Sequence, residues 1–156
     1  MTHNLSIPES EFLQEVESLL TQRWITDLAN TSALIMQRAL DINWVGFYLL
    51  QNDSPETLWL GPFQGLPACT MIPLNKGVCG AAATQKKSIK VDDVDAFPNH
   101  IVCDSRSKSE LVIPMIKNNE LIGVLDIDSV SLSRFSEGDQ ILFEKVVAII
   151  LKNYVN

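Results

Sequence analysis

Two apolar stretches late in the chain, Glu110 to Ile116 and Leu121 to Asp128, are separated only by Lys117-Asn118-Asn119-Glu120. A connection that short joins antiparallel strands, because parallel neighbours need a crossover of roughly a dozen residues or more. The second stretch, Ile122-Gly123-Val124-Leu125-Asp126-Ile127-Asp128, alternates residue by residue. Leu125 and Ile127 therefore share one face and Asp126 and Asp128 the other. The hairpin commits the chain to an antiparallel sheet with an apolar side and a pair of carboxylates on the reverse.

The remaining elements fit round it. Ser6 and Pro8 open a helix carrying Phe12, Leu13, Val16, Leu19 and Leu20 at helical spacing. A second helix is predicted from about Ile25 to Leu40, with Ile25, Leu28, Ser32, Ile35, Met36 and Ala39 on one stripe. Strands are predicted at Trp44 to Leu50, Thr57 to Gly61, Cys69 to Pro73 and Ser88 to Val91, with a turn at Asn52 to Pro55. Gly77 to Lys86 is Ala-rich and reads as a short helix. Ser136, with Asp139 three residues on, marks the start of a last helix that runs to about Asn153. Strands joined by hairpins, with long helices at the chain ends, define an α+β class rather than α/β. The simplest packing is one antiparallel sheet with the N- and C-terminal helices on one face and a ligand pocket on the other. Asp92 to Ser109 is a long irregular segment that would roof that pocket, since such loops are usually functional. Residues 1–156 read as a single domain.

Charge and composition exclude several functions. Asp and Glu outnumber Lys and Arg by 19 to 12, for a net charge of -7, and such a surface repels nucleic-acid backbones. The N-terminus has no secretory signal, and the longest apolar run, Val146 to Leu151, is far short of a membrane span, so a cytoplasmic location is expected. There is no P-loop, dinucleotide fingerprint or nucleophile elbow. The three cysteines, Cys69, Cys79 and Cys103, form no close pair of the kind zinc sites show, so no metal and no bound cofactor are expected.

Chemistry therefore rests on thiols and carboxylates. Cys103 lies in the polar run FPNHIVCDSRSKSE, with His100, Arg106 and Lys108 nearby. Neighbouring cations favour the nucleophilic thiolate. Cys69 and Cys79 have apolar neighbours and read either as core or as resolving thiols that capture a sulfenic acid. Asp126 and Asp128 repel one another unless a cation or a proton sits between them, and Glu110 opens the preceding strand, within reach across the hairpin. Three acids in one pocket suit a ligand ammonium, and one held protonated would serve as a general acid. Trp44 and Tyr48 flank Gly46 on one strand face, where the glycine leaves room for a group to lie against the sheet. Aromatic walls suit a methyl-sulfur group.

The strings NWVGFYLL, LWLGPFQGLPAC, KGVCGAAA, FPNHIVCDSRSKSELVIP and LIGVLDIDS together resemble the free methionine-(R)-sulfoxide reductases, which are single GAF-domain enzymes. The resemblance implies that Cys103, in the H-I-x-C-D motif, attacks the sulfoxide sulfur, releases methionine and becomes a sulfenic acid. It implies that Cys69, in P-A-C, resolves this as a disulfide, with Cys79, in G-V-C-G, as the third family cysteine. Glu110, Asp126 and Asp128 would bind the substrate ammonium and sulfoxide oxygen, and Trp44 and Tyr48 would enclose the methyl group. An external dithiol such as thioredoxin would reset the enzyme, and a homodimer is implied. The competing readings are a GAF module that senses or binds a small ligand, and a redox sensor without turnover.

Overall fold

Two apolar cores, one on each face of a single sheet, organise this protein. The computed structural model describes residues 4–101 and 103–155. Helices α1 (Glu9–Leu19) and α2 (Trp24–Arg38) come first, then strands β1 (Trp44–Gln51), β2 (Ser54–Gln64) and β3 (Met71–Pro73). Helix α3 (Gly77–Gln85), strands β4 (Ile89–Val91), β5 (Ser109–Lys117) and β6 (Glu120–Ser129), and helix α4 (Glu137–Lys152) complete the order. The strands form one six-stranded sheet in the order β3-β2-β1-β6-β5-β4, antiparallel throughout. The α+β class, with terminal helices on one face, is the fold observed.

On that face Val45, Phe47, Leu111, Ile113, Leu125 and Ile127 pack against Phe12, Val16, Leu28, Ile35, Leu142, Phe143 and Val146. The other face carries Trp44, Tyr48, Val112 and Val124 under α3, which supplies Val78, Cys79, Ala82 and Ala83. The alternation of β1 and β6 thus sorts residues between two buried faces, as period-two strands require.

Details of the element ends differ from expectation. Helix α2 begins at Trp24, whose ring meets Tyr154 at 4.6 Å between centroids, while Ile25 is 62% exposed. Trp24 takes the inward place that periodicity alone assigned to Ile25. The helix stops at Arg38 because Ala39 turns extended and bridges to Leu5. Strand β2 runs further than Thr57 to Gly61, and Cys69 lies in the loop before β3 rather than in a strand. The cap at Ser136 forms: its hydroxyl accepts from Asp139 N at 3.1 Å, and Asp139 Oδ2 accepts from Ser136 N at 2.8 Å. Among the described residues, no helix is long and apolar enough to cross a membrane.

Candidate active site

Strand register assembles the acidic cluster. Asp128 pairs with Trp44 on one side and Glu110 on the other, and Asp126 pairs with Gly46 and Val112. Directly paired residues share a face, so three neighbouring strands bring Glu110, Asp126, Asp128, Trp44 and Tyr48 to one cavity. This is the face of the sheet opposite the terminal helices, covered by α3 and the long loop. Glu110 is 6% and Asp126 5% exposed, and Asp128 is half-buried. A solvated strand surface, the ordinary fate of alternating acids, is not what this sheet presents.

Burial sets the protonation of the cluster. Burial, then the charges of Asp126 and Asp128, push the Glu110 carboxyl well above its usual range. Asp128 is raised by burial and by Asp126 and Asp104. Asp126 is also raised by burial, against hydrogen bonding with Glu110 and Cys79. Folding therefore makes Glu110 bind its proton more tightly than the unfolded chain does. The associated stability is complete below about pH 4.5, the ordinary value, and is lost as pH rises through the folded value. Glu110→Gln should accordingly raise the melting temperature at about pH 7 by a few degrees and leave it unchanged near pH 4. An equal shift at both pH values in a calorimetric scan would refute a protonation origin.

The aromatic pair does two jobs. Trp44 lies stacked between Tyr48 and Phe63, with centroids 5.9 and 5.4 Å away. Any Cβ on Gly46 would strike Phe63 Cβ and, at 2.6 Å, the Trp44 ring. The space at Gly46, expected to admit a bound group, is thus taken by the protein's own rings. The polar tips reach outward. Trp44 Nε1 donates to Leu66 O at 3.1 Å, and Tyr48 Oη donates to Cys69 O at 3.0 Å. Burial, and then Asp126, hold the phenol protonated as that donor. These two bonds fasten the Leu66–Cys69 loop over the cavity.

The loop from Asp92 to Ser109 is anchored at several points. Val94 N donates to Lys108 O, Gly77 N to Asn99 O and Lys108 N to Ser129 O, at 2.9, 2.9 and 2.7 Å. Cys103, on this loop, is joined to Cys69 by a disulfide, with Cα atoms 5.3 Å apart. Cys79 is the free cysteine, 2% exposed, with Sγ 3.9 Å from Glu110 Oε1. Burial, then Asp126 and Glu110, push its thiol well up, which makes it a poor nucleophile. With the disulfide closed, the cavity offers about 40 Å³, room for a few water molecules.

The polar side chains beside Cys103 have other partners. Arg106 Nη2 is 2.8 Å from Asp104 Oδ2, Lys108 Nζ is 3.9 Å from Asp95 Oδ2, and His100 Nε2 is 3.8 Å from Glu110 Oε2. Arg106 holds the Asp104 carboxyl below its usual range. Asn43, Asp104 and Ser107 escaped the sequence reading. Asn43 Nδ2 donates to Asp104 Oδ2 at 3.3 Å and to Ser107 Oγ at 3.2 Å, tying the loop to the start of β1. The adjacency of Asp104 to Cys103 was the only local signal for any of them.

Comparison with known proteins gives this geometry a family. The GAF domain family matches residues 25–151. The free methionine-R-sulfoxide reductase of Escherichia coli is 49% identical over 125 residues, covering 80% of this chain and 74% of that protein. The chain belongs to the free methionine-R-sulfoxide reductase family. The reductase of the same name from Saccharomyces cerevisiae is 45% identical over 137 residues, covering 85% of this chain and 76% of that one. The free methionine-R-sulfoxide reductase of Neisseria meningitidis, solved in complex with its substrate, superposes with a TM-score of 0.89 at 42% identity, over 93% of this chain and 87% of that one. The antiparallel GAF sheet expected from the sequence is the fold this reductase family member has. Cys79, Cys103, Glu110, Asp126 and Asp128 line one cavity, and Cys69 is bonded to Cys103 beside it.

Proposed function

We propose that this protein reduces free methionine-(R)-sulfoxide to methionine with Cys103 as nucleophile. The observation that carries the reading is the Cys69–Cys103 link on the wall of a cavity lined by Glu110, Asp126, Asp128, Trp44 and Tyr48. In this reading the Cys103 thiolate attacks the sulfoxide sulfur and forms an S–S bond, while the doubly protonated oxygen leaves as water. Water then adds to the Cys103 sulfur and loses a proton, the S–S bond breaks with its electron pair going to the methionine sulfur, methionine leaves, and Cys103 is left as a sulfenic acid. The Cys69 thiol then displaces that oxygen as water and forms the disulfide. A thioredoxin-type dithiol, itself oxidised to a disulfide, returns both cysteines to thiols.

Glu110 is best suited to protonate the leaving oxygen. Its raised carboxyl keeps a proton at a pH where an exposed one would not. Asp126 and Asp128 then face the substrate ammonium, and the N-terminal turn of α3 at Val78 and Cys79 offers helix-end N–H groups to its carboxylate. A peptide-linked residue lacks both charges, so it leaves these buried groups unpaired and is rejected. Trp44 and Tyr48 form the wall beside the methyl group. Cys79 serves as a hydrogen-bonding neighbour of Glu110, with resolution left to Cys69.

The deciding experiment measures methionine release with dithiothreitol from the free R epimer, the free S epimer and a blocked peptide sulfoxide. Turnover of the free R epimer alone is expected. Binding without turnover would favour the sensor reading. Cys69→Ser should keep one methionine per chain in a single turnover, while thioredoxin-driven recycling slows by about tenfold or more. Loss of that first turnover would overturn a purely resolving role for Cys69. A homodimer and a cytoplasmic location belong to the same proposal, and sedimentation velocity checks the former.

A further inference from the structure

We propose that the cavity is also a binding site for a thiophilic divalent cation of the zinc class, held by Cys79 Sγ, Glu110 and Asp126. One ligand atom from each of the three lies within 4.8 Å of the other two, and all three side chains are buried. Cys79 Sγ and Glu110 Oε1 are already 3.9 Å apart. A tetrahedral ion with Zn–S near 2.3 Å and Zn–O near 2.1 Å holds its donors about 3.6 Å apart. Side-chain rotations of about an ångström close the set on that scale.

A second observation points to a cation. Asp126 is 5% exposed, lines the cavity, and its Oδ1 finds no hydrogen-bond partner among the described residues. A buried carboxylate oxygen left unpaired costs free energy that an ion bound there would return. Asp128 adds negative potential from the same wall, and His100 Nε2, 3.8 Å from Glu110 Oε2, offers a nitrogen donor at the cavity lining. The absence of a close cysteine pair argues only against zinc motifs built on one loop. These ligands come from α3, β5 and β6; sheet register sets Glu110 near Asp126, and the packing of α3 on that face adds Cys79. If the carboxylates also bind the substrate ammonium, as the proposed reductase function has it, the cation excludes substrate and inhibits turnover.

The oxidised protein gives a clean test. Cys69 and Cys103 are joined, so of the three cysteines only Cys79 has a free thiol. Titration with cadmium chloride should produce an ultraviolet sulfur-to-cadmium charge-transfer band that saturates at one cadmium per chain and is bleached by excess zinc. Cys79→Ala should abolish the band, and Asp126→Asn should weaken cadmium binding by about tenfold or more. Absence of the band from the oxidised wild type, its survival in Cys79→Ala, or unchanged affinity in Asp126→Asn would each overturn the site. The Asp126→Asn arm decides the matter even where Cys79→Ala fails to fold. Absorbance reads binding without turnover, so a failed reductase assay and a failed cadmium titration are separate results.

Discussion

Cys103→Ser is expected to release no methionine from the free R epimer, even in a single turnover with stoichiometric enzyme. A serine hydroxyl ionises far above any assay pH and does not form the S–S bond that leads to a sulfenic acid. The loss should exceed about a thousandfold, the scale for removing a nucleophile. Substrate affinity should change little, because the variant leaves Glu110, Asp126 and Asp128 in place on the sheet. The stability readout needs a reductant in both samples. In the oxidised wild type the link between residues 34 positions apart constrains the unfolded chain, worth about 3–4 kcal/mol by loop entropy. Reduced wild type and variant should therefore melt together, while oxidised wild type melts higher. Methionine release by the variant, measured by chromatography after quenching, would end the assignment of Cys103 as nucleophile.

Gly123→Ala should cost more stability than any other single methyl addition considered. A Cβ there falls on the carbonyl oxygen of Tyr48 and stands 3.0 Å from Leu49 Cα. Both obstacles are backbone of β1, and β1 is held by hydrogen-bonded partners on both sides, β2 and β6. A flexible side chain would swing away, whereas a central strand shifts only by breaking its ladders. The expected loss is about 4 kcal/mol, a large share of the roughly 5–15 kcal/mol of a typical domain, with a melting temperature lower by about 10 °C. Activity should fall with the folded fraction and with displacement of Tyr48, whose hydroxyl secures the Cys69 loop. Wild-type stability in chemical denaturation would show that the strands separate at little cost.

The local pattern carried the element types. The short connection at Lys117–Glu120 dictated an antiparallel pair, and the alternation of Leu125 and Ile127 with Asp126 and Asp128 dictated which residues share a face, because strand geometry is a period-two rule that needs no partner. The cap at Ser136 was readable for the same reason: its hydrogen bonds are local. The cysteine contexts pointed to the family. Register, burial and pairing are non-local, and only the folded chain decided them. Whether Asp126 and Asp128 face water or a closed cavity depends on α3 and on a loop far away in sequence. The choice of Cys69 over Cys79 as the partner of Cys103 depends on Trp44 and Tyr48 holding the Leu66–Cys69 loop in place. Arg106 and Lys108, the cations beside Cys103 in sequence, turned to Asp104 and Asp95, because a charge pairs with the nearest carboxylate in space and sequence proximity gives no direction.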